Sequence, residues 1–153
     1  MMSGFELTMH LLAGVLLVFV NAFFVSIEFA MTRLRQVSEE EVRAKFSDYP
    51  ALERAWEMTN ELEIYLTGCQ LGITLSTIVL GVVTEPAFTK AIRPIFEWAG
   101  LSTGNVEVVS VVVAVFFINL VHKIWGEQAP TYLGVERPLQ VAGYCAPLLW
   151  GWS

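Results

Sequence analysis

The chain has 153 residues, 55% of them apolar and 16% charged, with a formal charge of -6 and a mean hydropathy of +0.57. The apolar excess excludes a disordered chain, the length allows one domain, and an acidic balance argues against nucleic acid, which wants a basic face. Two cysteines with no CxxC pair give neither a disulfide scaffold nor a zinc signature.

The apolar residues come in blocks. Leu7 to Ile27 is 21 residues without a charged side chain. At 1.5 Å per residue, such a helix is about 31 Å long and crosses a hydrocarbon core of about 30 Å. Met1 to His10 holds no Lys or Arg, and the block is too long for a signal-peptide core, so it is read as a retained span over about 7–31. The following loop carries Arg33, Arg35, Arg43, Lys45 and Arg54. The positive-inside rule then places it in the cytoplasm and the N-terminus outside. Ser38-Glu39-Glu40-Glu41 has capping-box spacing, so a helix starts at Ser38. Asp48-Tyr49-Pro50 is a break, and a second helix is expected from Pro50. Together these predict a cytosolic belt of two short amphipathic helices over about 36–60.

A second uncharged block, Ile64 to Thr84, predicts a span over 64–84. Glu85-Pro86 is expected to end it, with a separate short helix over Ala87 to Trp98 and a turn over Gly100 to Gly104. A third block runs from Val108 through His122 and continues past Lys123, predicting a span over about 107–133. Gly126 and Pro130 bracket a stretch where the helix ladder should fail, since proline removes one bond and collides with the carbonyl four residues back. The segment 138–153 is aromatic and uncharged and reads as juxtamembrane and interfacial. Three spans put the C-terminus in the cytoplasm. The fold class is an all-α integral membrane protein.

Polar groups at membrane depth are costly and mark pathways. They are Asn21, Ser26 and Glu28 in the first span; Thr67, Gln70, Thr74, Ser76 and Thr77 in the second; and Asn119, His122, Lys123, Glu127 and Gln128 in the third. This set is rich in oxygen. It suits Mg²⁺, Ca²⁺ or Na⁺, whereas zinc or copper would want His and Cys. Glu127, beside the expected break, is the strongest candidate. Each polar residue also has a structural reading: hydroxyls bond back to their own helix, Gly68 and Gly72 form a packing face, and Glu28 and Lys123 snorkel to water. No HExxH, G-x-S-x-G or phosphate loop is present, so no enzyme activity is expected.

Several segments resemble the transmembrane domain of the CorC and CNNM (cyclin M) magnesium transporters. They are Asn21-Ala22-Phe23-Phe24-Val25-Ser26-Ile27-Glu28-Phe29-Ala30, Gln70-Leu71-Gly72-Ile73-Thr74-Leu75, Glu85-Pro86, and His122 with Gly126-Glu127-Gln128-Ala129-Pro130. The resemblance implies a homodimer in the plasma (cell inner) membrane and Na⁺-coupled Mg²⁺ export. It places the cation site on Ser26, Ser76, the Gly126 carbonyl and Glu127, with Asn21, Gln70 and Thr74 behind them. Family members continue into paired CBS domains that bind ATP; this chain is expected to hold neither those domains nor an ATP site. Lys123 departs from the family pattern, and one turn from Glu127 it is placed to pair with that carboxylate. The rival readings are a passive divalent-cation channel and a non-transporting membrane assembly or anchor module.

Overall fold

The computed structural model describes residues 3–152, and every regular element in them is helical. Helix α1, Gly4–Leu34, exceeds the predicted first span at both ends. Ser3 caps it, accepting from the Glu6 backbone while the Glu6 carboxylate accepts from the Ser3 N–H at 2.6 Å. The belt then forms as two helices, α2 over Glu39–Arg43 and α3 over Leu52–Met58. Ser38 caps α2 as its sequence predicts. The second start is corrected: α3 begins at Leu52, because Ala51 takes a left-handed conformation with φ 63° and turns the chain after Pro50. Outside the spans, Asp48 pairs with Lys45 at 3.1 Å and holds its ammonium above the ordinary lysine range.

A short 3₁₀ turn over Thr59–Glu61 leads into α4, Leu62–Trp98. This helix overturns the expected break at Glu85-Pro86 and the separate helix after it. Pro86 and Pro94 both lie inside one continuous helix. A proline in a membrane helix costs one backbone bond, which local adjustments and neighbouring hydroxyls relieve.

Helix α5, Thr103–Val121, runs into a π-helical segment over His122–Gln128 and then α6, Ala129–Glu136. The ladder expected to fail between Gly126 and Pro130 instead widens. The Ala129 N–H reaches back five residues to the Ile124 carbonyl. Widening lets the chain pass Pro130 without driving its ring into the Gly126 carbonyl.

The terminal segment forms helix α7, Pro138–Trp152, which packs on α1 and α3. Its Val141, Ala142, Ala146 and Leu149 join Ile27, Ala30, Met31 and Leu34 of α1 and Val42, Leu52, Ala55 and Met58 of the belt in one core. That core lies at the belt end of the bundle. Elsewhere the spanning helices turn Leu12, Leu16, Phe19, Leu71, Ile78, Val82, Val112 and Phe116 outward, as helices solvated by lipid do. Three helices are long and apolar enough to cross a membrane, and the protein is a multi-pass membrane protein.

Close helix approach depends on glycine at two points. The Phe24 ring sits over Gly72, and α6 crosses α1 where Gly134 faces the Ser26 carbonyl. A methyl at Gly134 meets backbone, which has no rotamer to yield. Gly134→Ala is therefore expected to destabilise the fold by roughly 2 kcal/mol. Gly81→Ala, which meets nothing, is expected to leave stability unchanged; paired denaturation curves in detergent compare the two.

Candidate functional site

The polar residues of the three spans meet around Asn21, which is fully buried on α1. Its amide nitrogen donates to the Gly126 carbonyl at 2.8 Å. Gly126 lies in the π-segment, where i→i−4 bonding is interrupted, so its carbonyl takes a partner from another helix. A side chain at 126 would crowd that contact, since a Cβ there would lie 3.3 Å from the Asn21 amide nitrogen and 3.0 Å from the His122 ring. The other end of the Asn21 amide accepts from the Ser76 hydroxyl of α4 at 2.9 Å. One carboxamide therefore ties α1 to α4 and to the π-segment.

From Asn21 the contacts lead outward to a carboxylate. The Thr77 hydroxyl lies 3.5 Å from Asn21 Oδ1 and donates to the Ile73 carbonyl at 2.8 Å. Thr77 Oγ1 also lies 3.4 Å from His122 Nε2. His122 is buried, and its Nδ1 lies 3.6 Å from Glu127 Oε1. The second Glu127 oxygen accepts from the Lys123 ammonium at 2.5 Å.

Glu127 opens on a cleft of about 780 Å³. Val25, Glu28 and Phe29 of α1 and Ile73 of α4 form one side, and Lys123, Glu127, Gln128, Thr131 and Tyr132 the other. Glu28 accepts a long 3.5 Å contact from Gln70. Two carboxylates and one ammonium thus share a recess with Val25, Phe29 and Ile73.

The residues singled out in the sequence divide into three groups. Ser76, Gly126 and Asn21 meet directly. Glu127 joins them through His122 and Thr77 and faces the cleft with Glu28. Ser26 and Thr74 bond back to their own helices, at the Ala22 carbonyl (2.7 Å) and the Gln70 carbonyl (2.8 Å). Thr67 and Asn119 do the same. Among the described residues no group of three or more His, Cys, Asp or Glu side chains converges to hold a metal. An ion here would meet carboxylate, hydroxyl, amide and water oxygens, the donor set that fits Mg²⁺. The sequence places Asn21 behind the other candidates, whereas the structure puts it at the centre of the buried polar contacts. Its signal was burial of a polar side chain opposite an irregular helix, which only packing reveals.

Asn21→Leu is expected to leave the Gly126 carbonyl without its donor, while the Ser76 hydroxyl keeps the Ile73 carbonyl at 3.0 Å, and to cost about 1–3 kcal/mol. Denaturation midpoints in detergent check this; Thr74→Val, which removes a bond within one turn, is expected to shift stability much less.

The model of the cyclin M transmembrane N-terminal domain matches residues 12–153. UPF0053 protein YhdT of Bacillus subtilis is 37% identical over 131 residues, which is 86% of this chain and 28% of the relative. UPF0053 protein YugS of the same organism is 32% identical over 145 residues, 94% of this chain and 33% of the relative. UPF0053 protein MT1890 of Mycobacterium tuberculosis is 32% identical over 120 residues, 78% of this chain and 26% of the relative. The chain thus spans between 26% and 38% of the length of the curated relatives it matches. No solved structure matches it. The matched span covers α1 from residue 12 onward, the other two membrane helices, the belt and the residues around Asn21 and Glu127, and on that ground the chain belongs to the CNNM (cyclin M) transmembrane-domain family.

Proposed function

We propose that this domain moves a divalent cation across the membrane, with Mg²⁺ as its cargo and Glu127 as the charged ligand. The observation that carries this reading is the placement of Glu127. It stands within a widened helix turn, near His122, and lines a cleft together with Glu28. A carboxylate at membrane depth is costly, and such residues mark ion pathways. Membership in a family associated with membrane transport of divalent cations supports the same reading.

Mg²⁺ gives up its water reluctantly and is bound through few protein oxygens. The cleft has room for an ion that keeps part of its hydration. Glu127 and Glu28 supply charge, and Gln128 and Thr131 supply neutral oxygens. The Ser76 hydroxyl and the Gly126 carbonyl lie deeper, and Ser26 reaches an ion only if its hydroxyl leaves the Ala22 carbonyl. Transport then proceeds by alternating access, with the helices exchanging these contacts as the site opens to one side and then the other. Na⁺ is the coupling ion and the direction is export; each charge crossing the potential yields about 2.3 kcal/mol per 100 mV. The protein acts as a homodimer in the plasma membrane. The cationic belt residues Arg33, Arg35, Arg43 and Lys45 favour a cytoplasmic belt and C-terminus, with the N-terminus outside.

In proteoliposomes, Glu127→Gln is expected to reduce Mg²⁺ flux roughly tenfold or more, while helicity and elution volume stay at the wild-type values. Wild-type flux from that variant removes Glu127 from the pathway. Wild-type flux that is indifferent to a Na⁺ gradient replaces coupled export with a passive channel.

A further inference from the structure

The ion pair between Lys123 and Glu127 has a geometry that bears on how tightly the cargo is held. The two side chains straddle the widened turn over His122–Gln128, and the ammonium takes one carboxylate oxygen at 2.5 Å. The other oxygen faces His122, whose side chain is buried. The Lys123 side chain is 64% exposed and that of Glu127 is 32% exposed. The ammonium therefore sits on the open side of the carboxylate, where an arriving ion must approach. Lys123, Glu127 and Glu28 are the charged side chains lining this cleft.

We propose that Lys123 is a tethered cation that occupies Glu127 when the cargo is absent and weakens the hold of the site on any ion that binds there. The proposal rests on the reading that Glu127 binds the cargo. An ammonium attached to the same helix is present at a high effective concentration, on the millimolar scale for short tethers. Every ion that binds Glu127 must displace it, so Lys123 lowers the affinity of the site for Mg²⁺ and Na⁺ alike. The Lys123 side chain is exposed enough to swing clear of the carboxylate. An ordinary surface staple would predict the reverse of this behaviour: breaking it would loosen the helix and weaken the site.

The test is Mg²⁺ binding to the purified full chain in detergent by titration calorimetry, with and without excess Na⁺. Lys123→Gln and Lys123→Met are expected to bind Mg²⁺ about three- to fivefold more tightly, the range that a half-exposed ion pair supports. Na⁺ is expected to compete measurably better in these variants than in the wild type. Lys123→Arg, which restores the charge, is expected to bring the affinity back toward the wild-type value. If neither neutral variant tightens Mg²⁺ binding, Lys123 is not a competitor and the proposal is overturned. Glu127→Gln separates this from failure of the underlying reading. If that variant binds Mg²⁺ as the wild type does, Glu127 is not the cargo ligand, whatever position 123 does.

Discussion

The bond from the Asn21 amide to the Gly126 carbonyl organises the interior of the membrane domain. Pro130 cannot donate to a regular ladder and would press on that carbonyl. The helix responds by widening over His122–Gln128. A carbonyl released from its helix in a bilayer has no water to turn to. Asn21 supplies the missing donor from α1 and spends its own carbonyl on Ser76 of α4. Three spanning segments are joined at one buried amide. The position of Glu127 follows, because the same wide turn that releases the carbonyl sets where the next side chain points.

The chain separates two kinds of cohesion. At the belt end, α1, α2, α3 and α7 bury a conventional apolar core, with the Arg54 guanidinium 5.3 Å from the centre of the Trp150 ring at its edge. Within the bilayer there is no gain from moving apolar surface out of water, so helices hold through small residues and polar bonds. Gly72 under Phe24 and Gly134 against α1 give the close approach. The Trp152 indole N–H, donating to the Gly68 carbonyl at 2.9 Å, fastens the end of α7 to α4.

Much of this was legible in the sequence because composition alone decides it. Long uncharged blocks have one stable form in lipid, so the spans could be placed from length. Ser38 could be recognised as a cap because its donors lie three residues away. The errors arose where the outcome depends on distant neighbours. Pro86 reads as a stop, yet α4 continues through it. Pro50 reads as a start, yet the left-handed Ala51 delays α3 to Leu52. Gly126 and Pro130 marked an irregular turn correctly, but a break and a widened turn share the same local signal. In the candidate site, Glu127 stood out as a carboxylate in an apolar run. The role of Asn21 did not, because 105 residues separate it from the carbonyl it holds.

The unbroken course of α4 has a mechanical consequence. Its 37 residues extend about 55 Å at 1.5 Å per residue, against a hydrocarbon thickness of about 30 Å. Such a rod must lean steeply or protrude beyond the lipid. Ser76 and Thr77, which touch the Asn21 amide, lie toward its middle, and its first turns adjoin the belt. A lean of α4 about that midpoint would swing its two ends in opposite directions, so that a small shift at the buried amide becomes a larger excursion at each face.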